Sequence, residues 1–593
     1  MKLTRKLVVV ELEERITPSV TFVLNAVNPT ASYTEHPGAN AGDVVTLHFA
    51  DGGSGGSVTV NVADTGGNTN DFISLIKFDS QCNAAASFTA TVNGVGGNPA
   101  SNGIIDQVKD VNFDAPTAGP GAVIIEGNVT AAHGTTVTNL SVMSNNGTAV
   151  NAPVLHSQGG NLGSLSVKSM DGGGITVDGN ADKITSAGVF GGVTGVSLVV
   201  NGNLGNLKAV SIDNSGMGIG SAGTIAVSGS IGHNGGNGIS IMGNLGSLTA
   251  KNIENGGISI GGDATKIAAT GSGSDGIFSA SISVSHNLGS LAARNITSGG
   301  ISITGDATKI AATADFNVSG MSIGHNLGSL TAKNITTSGI GIGGNASKIA
   351  ASADFNVSGM GIGHNLGSLT AKNINASGIG IGGNVGKIAA TGAFSVTSIS
   401  ISQDLGSLTA KNITSSSISI TGDAGKIAAT ESFSVTGVSV GQDLGSLTAK
   451  NITSSGISVT GDASQIAASG DFSVSGMSIG GTANKISAGG SFSCNMGIGG
   501  SLNSLTANNA TSLTSFMSIS GTLGKFSMPK ASFSAGTITA GGLTNVFDVS
   551  GDANTGTRTV THDLSSLPAT TTAHYAAGGT LFVHANVPDS SIK

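Results

Sequence analysis

The chain of 593 residues has no tryptophan, two tyrosines and two cysteines, and each scarcity removes a class of protein. With aromatics at 4% of residues there is no row of rings on which nucleic-acid bases would stack, and a formal net charge of −8 gives no general attraction to phosphate backbones. Nucleic acid is therefore not an expected partner. Cys82 and Cys494 stand too far apart in sequence to suggest a disulfide framework or a metal knuckle. Proline is scarce at 10 residues, and the 95 glycines keep no strict three-residue period, so the chain is not collagenous. No apolar run reaches the about 18 residues that a membrane-crossing helix requires. Only 10% of residues are charged, where an average globular domain carries about 25%. With 38% of residues apolar the chain is still expected to fold, so its surface must be polar without being ionic.

What the chain does have is repetition. The string "NLGSLTAK" at 326–333 returns at 365–372, and "DLGSLTAK" follows at 404–411 and 443–450. Counted from Asn326, equivalent positions recur at Asn345, Asn365, Asn384, Asp404, Asp423, Asp443 and Asp462, in steps of 19 and 20. The structural unit is thus half of the 39-residue period. Within a unit, apolar and polar residues alternate, as Met321 and Ile323 do about Ser322, and period two is the signature of strands. Three short strands and three turns per unit predict one rung of a parallel β-solenoid, stacked ~4.8 Å from the next.

The expected fold is all-β, a parallel β-solenoid (β-helix) of roughly twenty rungs over 152–543. A β cap or small β domain is expected over 19–151 and a β-rich cap over 544–593. Core columns can be read directly. One runs from Met321 through Ile340, Met360 and Ile379, and another alternates Ile335, Phe355, Ile374 and Phe394. Phenylalanine on every second rung accounts for the doubled period, because large and smaller side chains interleave without voids. A sugar-stacking role for these rings is the alternative, but their neighbours are mostly polar, which favours a buried stack.

The N-terminus "MKLTRKLVVVELEERITPS" has too short an apolar stretch for a conventional signal peptide. Its Leu12, Glu13, Glu14 and Arg15, followed by Pro18, resemble the Leu-Glu-x-Arg tag at the start of many exported repeat proteins of planctomycete bacteria. The rest of the chain is similar, in its style of repeat, to the β-strand-repeat surface proteins that often carry this tag. The resemblance implies that 1–18 is an export or targeting segment and that the protein is extracellular or on the cell surface.

Catalytic motifs are weak. The "GIGIGGN" strings lie within strands rather than between a strand and a helix, so no dinucleotide loop is expected. "GNVGKIAA" at 383–390 lacks the first glycine and the magnesium-binding hydroxyl of a phosphate loop, since Ile381 and Ile388 stand there. "LPAT" at 567–570 is followed by Thr571 where a sortase motif needs glycine, and reads as a turn. No catalytic residues and no cofactor are expected, and the chain reads as a non-enzymatic structural or adhesive protein. The alternative is a carbohydrate-active β-helix using the acidic group Asp71, Asp79, Asp106, Asp110 and Asp114 with Lys109.

Two ladders are candidate sites. Asp404, Asp423, Asp443 and Asp462 place carboxylates at ~4.8 Å steps, either bridged by structural calcium or splayed outward and hydrated. Asn326, Asn345, Asn365 and Asn384 of the same column are expected to stack their amides along one turn, each satisfying backbone groups locally, as Asx turns do. Arg294, Lys333, Lys372, Lys411 and Lys450 recur every second rung, and Lys309, Lys348, Lys387 and Lys426 on the intervening ones. These rows would either bind an acidic polysaccharide or other cell-envelope polyanion, or simply confer solubility and limit lateral packing. His286, His325 and His364 also recur on alternate rungs, ~9.6 Å apart, too far to share a metal.

Overall fold

Inward-facing Ile, Leu, Val and Phe alternating with outward Ser, Thr, Asn and Gly can be satisfied only as strands, and strands are what form. The computed structural model describes strands between Ser19 and His584, and side chains over 162–541 apart from short gaps. The segment at 12–15 and "LPAT" at 567–570 lie outside the described residues. The architecture is all-β, with no helix among the described residues, and the strands stack in parallel as a β-solenoid. It has about 17 turns, somewhat fewer than expected. Longer turns use up the difference: Ala181 pairs with Leu204, Ala222 with Leu245, and Ala264 with Leu288, where the regular step is 19 or 20 residues.

The chain divides into two compact units, Met1–Lys309 and Ile310–Lys593. In the first, strands from Ser19 onward pair in parallel at wide intervals, Ser19 with Val44 and Val44 with Leu75, before the spacing tightens to Leu162 with Ala181. In the second, each regular turn contains the strand Leu327–Ala332 or its equivalent, followed by a pair such as Asn334–Thr337 and Ile340–Ile342. From Asp354–Ile362 onward the latter two run on as one continuous strand, through Asn373–Ile381 to Asn451–Val459. Alternation breaks where two successive residues face outward, as at Ser338 and Gly339, and these are the points where the chain bends around its core.

The core columns have the expected register. Met321 pairs with Ile340, Ile340 with Met360, and Met360 with Ile379. Ile335 pairs with Phe355, Phe355 with Ile374, and Ile374 with Phe394. Phe355, Phe394, Phe433 and Phe472 are each 0% exposed, which settles them as a buried stack rather than a sugar platform. The alternation ends at Phe472 and Phe492, whose rings stack with centroids 5.1 Å apart.

A third column alternates Val with small residues, Ala376 beside Val357 and hydroxylic ones elsewhere, as where Ser415 pairs with Val435. The inward hydroxyl is kept satisfied at the next bend: Ser415 Oγ donates to Ser417 O at 2.9 Å, and Thr337 Oγ1 to Gly339 O at 3.0 Å. Each of these hydroxyls therefore staples a corner rather than leaving a polar atom unpaired in the core.

Candidate functional site

The turn that closes each rung carries the Asn/Asp column, whose amides stack from rung to rung as expected while its backbone bonds are not the local Asx turns expected. The hydrogen bonds run between turns. Asn345 N donates to Asn326 Oδ1 at 2.8 Å and Asn345 Nδ2 to the same oxygen at 3.0 Å. Asn365 N then donates to Asn345 Oδ1, and Asn384 N to Asn365 Oδ1. The reason is geometric: parallel stacking sets the next rung's N–H within hydrogen-bond reach of the side-chain oxygen. The first unit has its own segment of this ladder, with Asn287 N donating to Asp263 Oδ1 at 2.9 Å and Asp306 N to Asn287 Oδ1 at 2.9 Å. The backbone N–H and side-chain amide of Asn287 hold the Asp263 carboxyl below the usual carboxylate range.

The four aspartates continue the column. Asp423 N donates to Asp404 Oδ1 at 2.9 Å, Asp443 N to Asp423 Oδ1 at 2.9 Å, Asp462 N to Asp443 Oδ1 at 2.7 Å, and Thr482 N to Asp462 Oδ1 at 2.6 Å. All four carboxylates are exposed, so water and these donors share in offsetting their mutual repulsion. Among the described residues no cluster of three or more His, Cys, Asp or Glu side chains is arranged to hold a metal ion. His286, His325 and His364 are exposed turn residues.

The position before the ladder residue alternates bulk with glycine: His325, Gly344, His364, Gly383, Gln403, Gly422. At Gly344 a Cβ would lie 2.6 Å from Asn326 Oδ1 and 2.8 Å from the His325 backbone, so only glycine fits where the rungs approach. A second ladder, at the opposite end of the continuous strands, is absent from the sequence expectations. Asn373 Nδ2 donates to Asp354 Oδ1 at 2.8 Å, Asp471 N to Asn451 Oδ1 at 2.9 Å, and Ser491 N to Asp471 Oδ1 at 2.9 Å. The N–H and hydroxyl of Ser491 lower the Asp471 pKa from its ordinary value. The recurrence of Asn334, Asn373, Asn412 and Asn451 every 39 residues is the signal in the sequence that could have found it.

The cationic rows occupy two distinct settings. Lys348, Lys387 and Lys426 lie within strands and stand in register with Ser368, Ser407 and Ser446 on the turns between them. Lys485 extends that row, pairing with Gln465, and Lys525 pairs with Ser504. Lys333, Lys372, Lys411 and Lys450 lie one residue beyond a strand end, at a bend. Ala353 N donates to Lys333 O and Lys372 N to Ala353 O, both at 2.8 Å, so a small residue separates successive lysines. Glu431 interrupts the pattern, with its carboxylate 3.4 Å from Lys450 Nζ. All of these cations are exposed; Arg294 and Lys309, also exposed, belong to the first unit.

In the first unit, Asp79 and Asp114 are register partners on the strands Phe72–Ser80 and Gln107–Ala115, while Asp110 pairs with Asn139. Lys109 lies on the second of these strands; Asp71 and Asp106 fall outside the described residues. Comparison with protein-family models, with curated proteins and with solved structures returns no match.

Proposed function

We propose that the chain is a non-enzymatic repeat protein, exported to the cell surface or envelope, where it acts as a structural and adhesive element. The observation that carries this reading is the pair of exposed lysine rows in the second unit, repeated on alternate turns and spaced ~9.6 Å, close to the Debye length of about 8 Å at physiological salt. At that spacing one extended polyanion feels several charges together, whereas a compact anion feels one. The partner is an acidic wall or matrix polysaccharide, bound weakly and with strong salt dependence. Replacing Lys333, Lys372, Lys411 and Lys450 with Ser is expected to abolish retention on an anionic polysaccharide column at low salt. Retention equal to that of the parent would leave the lysines as solubilising residues only. Structural calcium on the column from Asp404 to Asp462 belongs to the same proposal as an accessory, and an unchanged melting temperature in millimolar calcium with no calorimetric binding would remove it.

A second reading, a carbohydrate-active β-helix, draws on the pairing of Asp79 with Asp114, which sets two carboxyl-bearing residues on adjacent strands. Sugar release from a polysaccharide panel, lost in Asp114→Asn, would support it; no release from any of them would exclude it.

A further inference from the structure

In the second unit eight asparagines are followed at the second place by serine or threonine, the Asn-x-Ser/Thr pattern that accepts an N-linked oligosaccharide on exported chains. The fold sorts them. Asn334, Asn412 and Asn451 belong to the second ladder, where their Oδ1 atoms accept from Asp354 N, Ser432 N and Asp471 N. Asn345 belongs to the first, donating through Nδ2 to Asn326 Oδ1, and Asn509 Nδ2 donates to Gly489 O. These side chains already join one turn to the next, and a sugar on Nδ2 would crowd the ~4.8 Å step between turns.

The remaining three, Asn317, Asn356 and Asn375, stand in one column: Thr336 pairs with both Asn317 and Asn356, and Asn356 with Asn375. All three are exposed and flanked by buried residues, Phe316 and Val318 in the first case and Phe355 and Val357 in the second, so strand alternation aims them at solvent. A group added to Nδ2 there extends away from the core. A second feature divides the three. Asp315 and Asp354 stand two residues before Asn317 and Asn356, in the string "ADFNVSGM" at 314–321 and again at 353–360, whereas Asn373 holds that place before Asn375. None of the other sequons in the unit has a carboxylate there. On an unfolded chain that carboxylate offers a transferase a charge-assisted contact that a neutral residue cannot. Outward placement and the acidic neighbour are independent observations, and they coincide at Asn317 and Asn356.

We propose that Asn317 and Asn356 are N-glycosylation sites. The proposal rests on the export proposed above, because the donor, an oligosaccharide carried on a polyprenyl diphosphate, is presented at the outer face of the membrane. Asparagine Nδ2 forms a bond to the anomeric carbon of the first sugar, the bond from that carbon to the diphosphate oxygen breaks with its electron pair leaving on the diphosphate, and an amide proton passes to solvent. In the folded sheet the two aspartates are occupied, since Asn334 Nδ2 donates to Asp315 Oδ1 at 2.7 Å and Asn373 Nδ2 to Asp354 Oδ1 at 2.8 Å. The strand Asp315–Val318 is likewise paired with Asn334–Thr337. Transfer therefore precedes the stacking of the following turn, on the chain as it leaves the membrane. Once stacked, the two glycans share a face two turns apart, ~9.6 Å, with Thr336 between them.

Mass spectrometry of the full chain, shaved from intact cells of its source, tests this. Trypsin places the three asparagines on separate peptides, 310–333, 349–372 and 373–387. The first two are expected to carry an oligosaccharide on Asn317 and Asn356, and the third to be bare. Asp354→Asn keeps the Oδ1 that accepts from Asn373 and removes only the charge. It should lower occupancy at Asn356 more than about tenfold while leaving Asn317 as in the parent. Bare asparagines at both positions on shaved protein overturn the proposal and leave export standing. Sugar on Ser319 or Ser358 instead, or equal occupancy at Asn375, also overturns it. A chain found only inside the cells overturns export, and the proposal with it.

Discussion

Cys494 shows how the packing of one side chain reaches into solution behaviour. It is 1% exposed, stands in register with Val474, and behaves as a small apolar residue in its column. Burial pushes its thiol from 9.0 up to about 12. A raised folded-state value means the neutral thiol is favoured by folding. The associated stability is therefore complete below about pH 9 and is lost as pH rises from there toward 12. Cys494→Val is expected to shift the alkaline unfolding midpoint upward and leave the neutral melting temperature nearly unchanged. With Cys82 replaced by Ser, reaction of the Cys494 thiol with a soluble disulfide reagent should follow the rate of unfolding; fast labelling of that folded protein would contradict the burial argument.

At the scale of the element, glycines with and without room for a methyl group separate cleanly in their expected stability effects. Gly344→Ala should destabilise by about 1–3 kcal/mol, because the methyl group must displace Asn326 Oδ1 or the His325 backbone. Gly361→Ala, with open space around the new methyl, should be neutral or stabilising by about 0.4–1 kcal/mol. Chemical denaturation of the two variants decides the matter, and equal effects would undo the distinction. This is also where the sequence stops being sufficient. Strand positions, the columns through Met321 and Ile335 and the lysine periodicity are legible, since each is a count along the chain. The ladders are legible only in part. Asn345 N and Asn326 Oδ1 are 19 residues apart, so nothing local distinguishes an inter-turn acceptor from an Asx turn. The second ladder is harder still, because alternate turns place Asp354, Ala393, Ser432 and Asp471 where the others have asparagine. Forced and unforced glycines share one letter, and only stacking tells them apart.

For the whole molecule, energetics that couple only neighbouring turns make the 39-residue segment the natural module. Removing 347–385 joins Ala346 to Gly386, which takes the place of Ser347 in its strand. The strand so formed reads Ala-Gly-Lys-Ile-Ala-Ala, the sequence already present at Ala424–Ala429, and phenylalanine and lysine stay on alternate turns. Such a deletion is expected to fold cooperatively, with a melting temperature close to that of the parent and the lysine rows still in phase. Removing half as much sets like residues on successive turns and breaks both rows. Scanning calorimetry of the two deletions would show it; a module deletion that unfolds the chain would mean that the turns are not interchangeable.

The ladder along the closing turns also bears on how the molecule ages. Asparagine deamidates slowly in any long-lived protein, and the product is aspartate or its isomer. Conversion to aspartate at Asn326, Asn345, Asn365 or Asn384 would give the side chain already present at Asp404, Asp423, Asp443 and Asp462. The atom that accepts the next turn's N–H is Oδ1 in both halves of the column, so the change removes an amide donor and adds a charge while the backbone bond persists. The column is thus written in two chemical states that hold the same geometry, and a molecule whose asparagines become aspartate keeps its stacking, whereas the isomer, which lengthens the backbone by a methylene, breaks the rung that carries it.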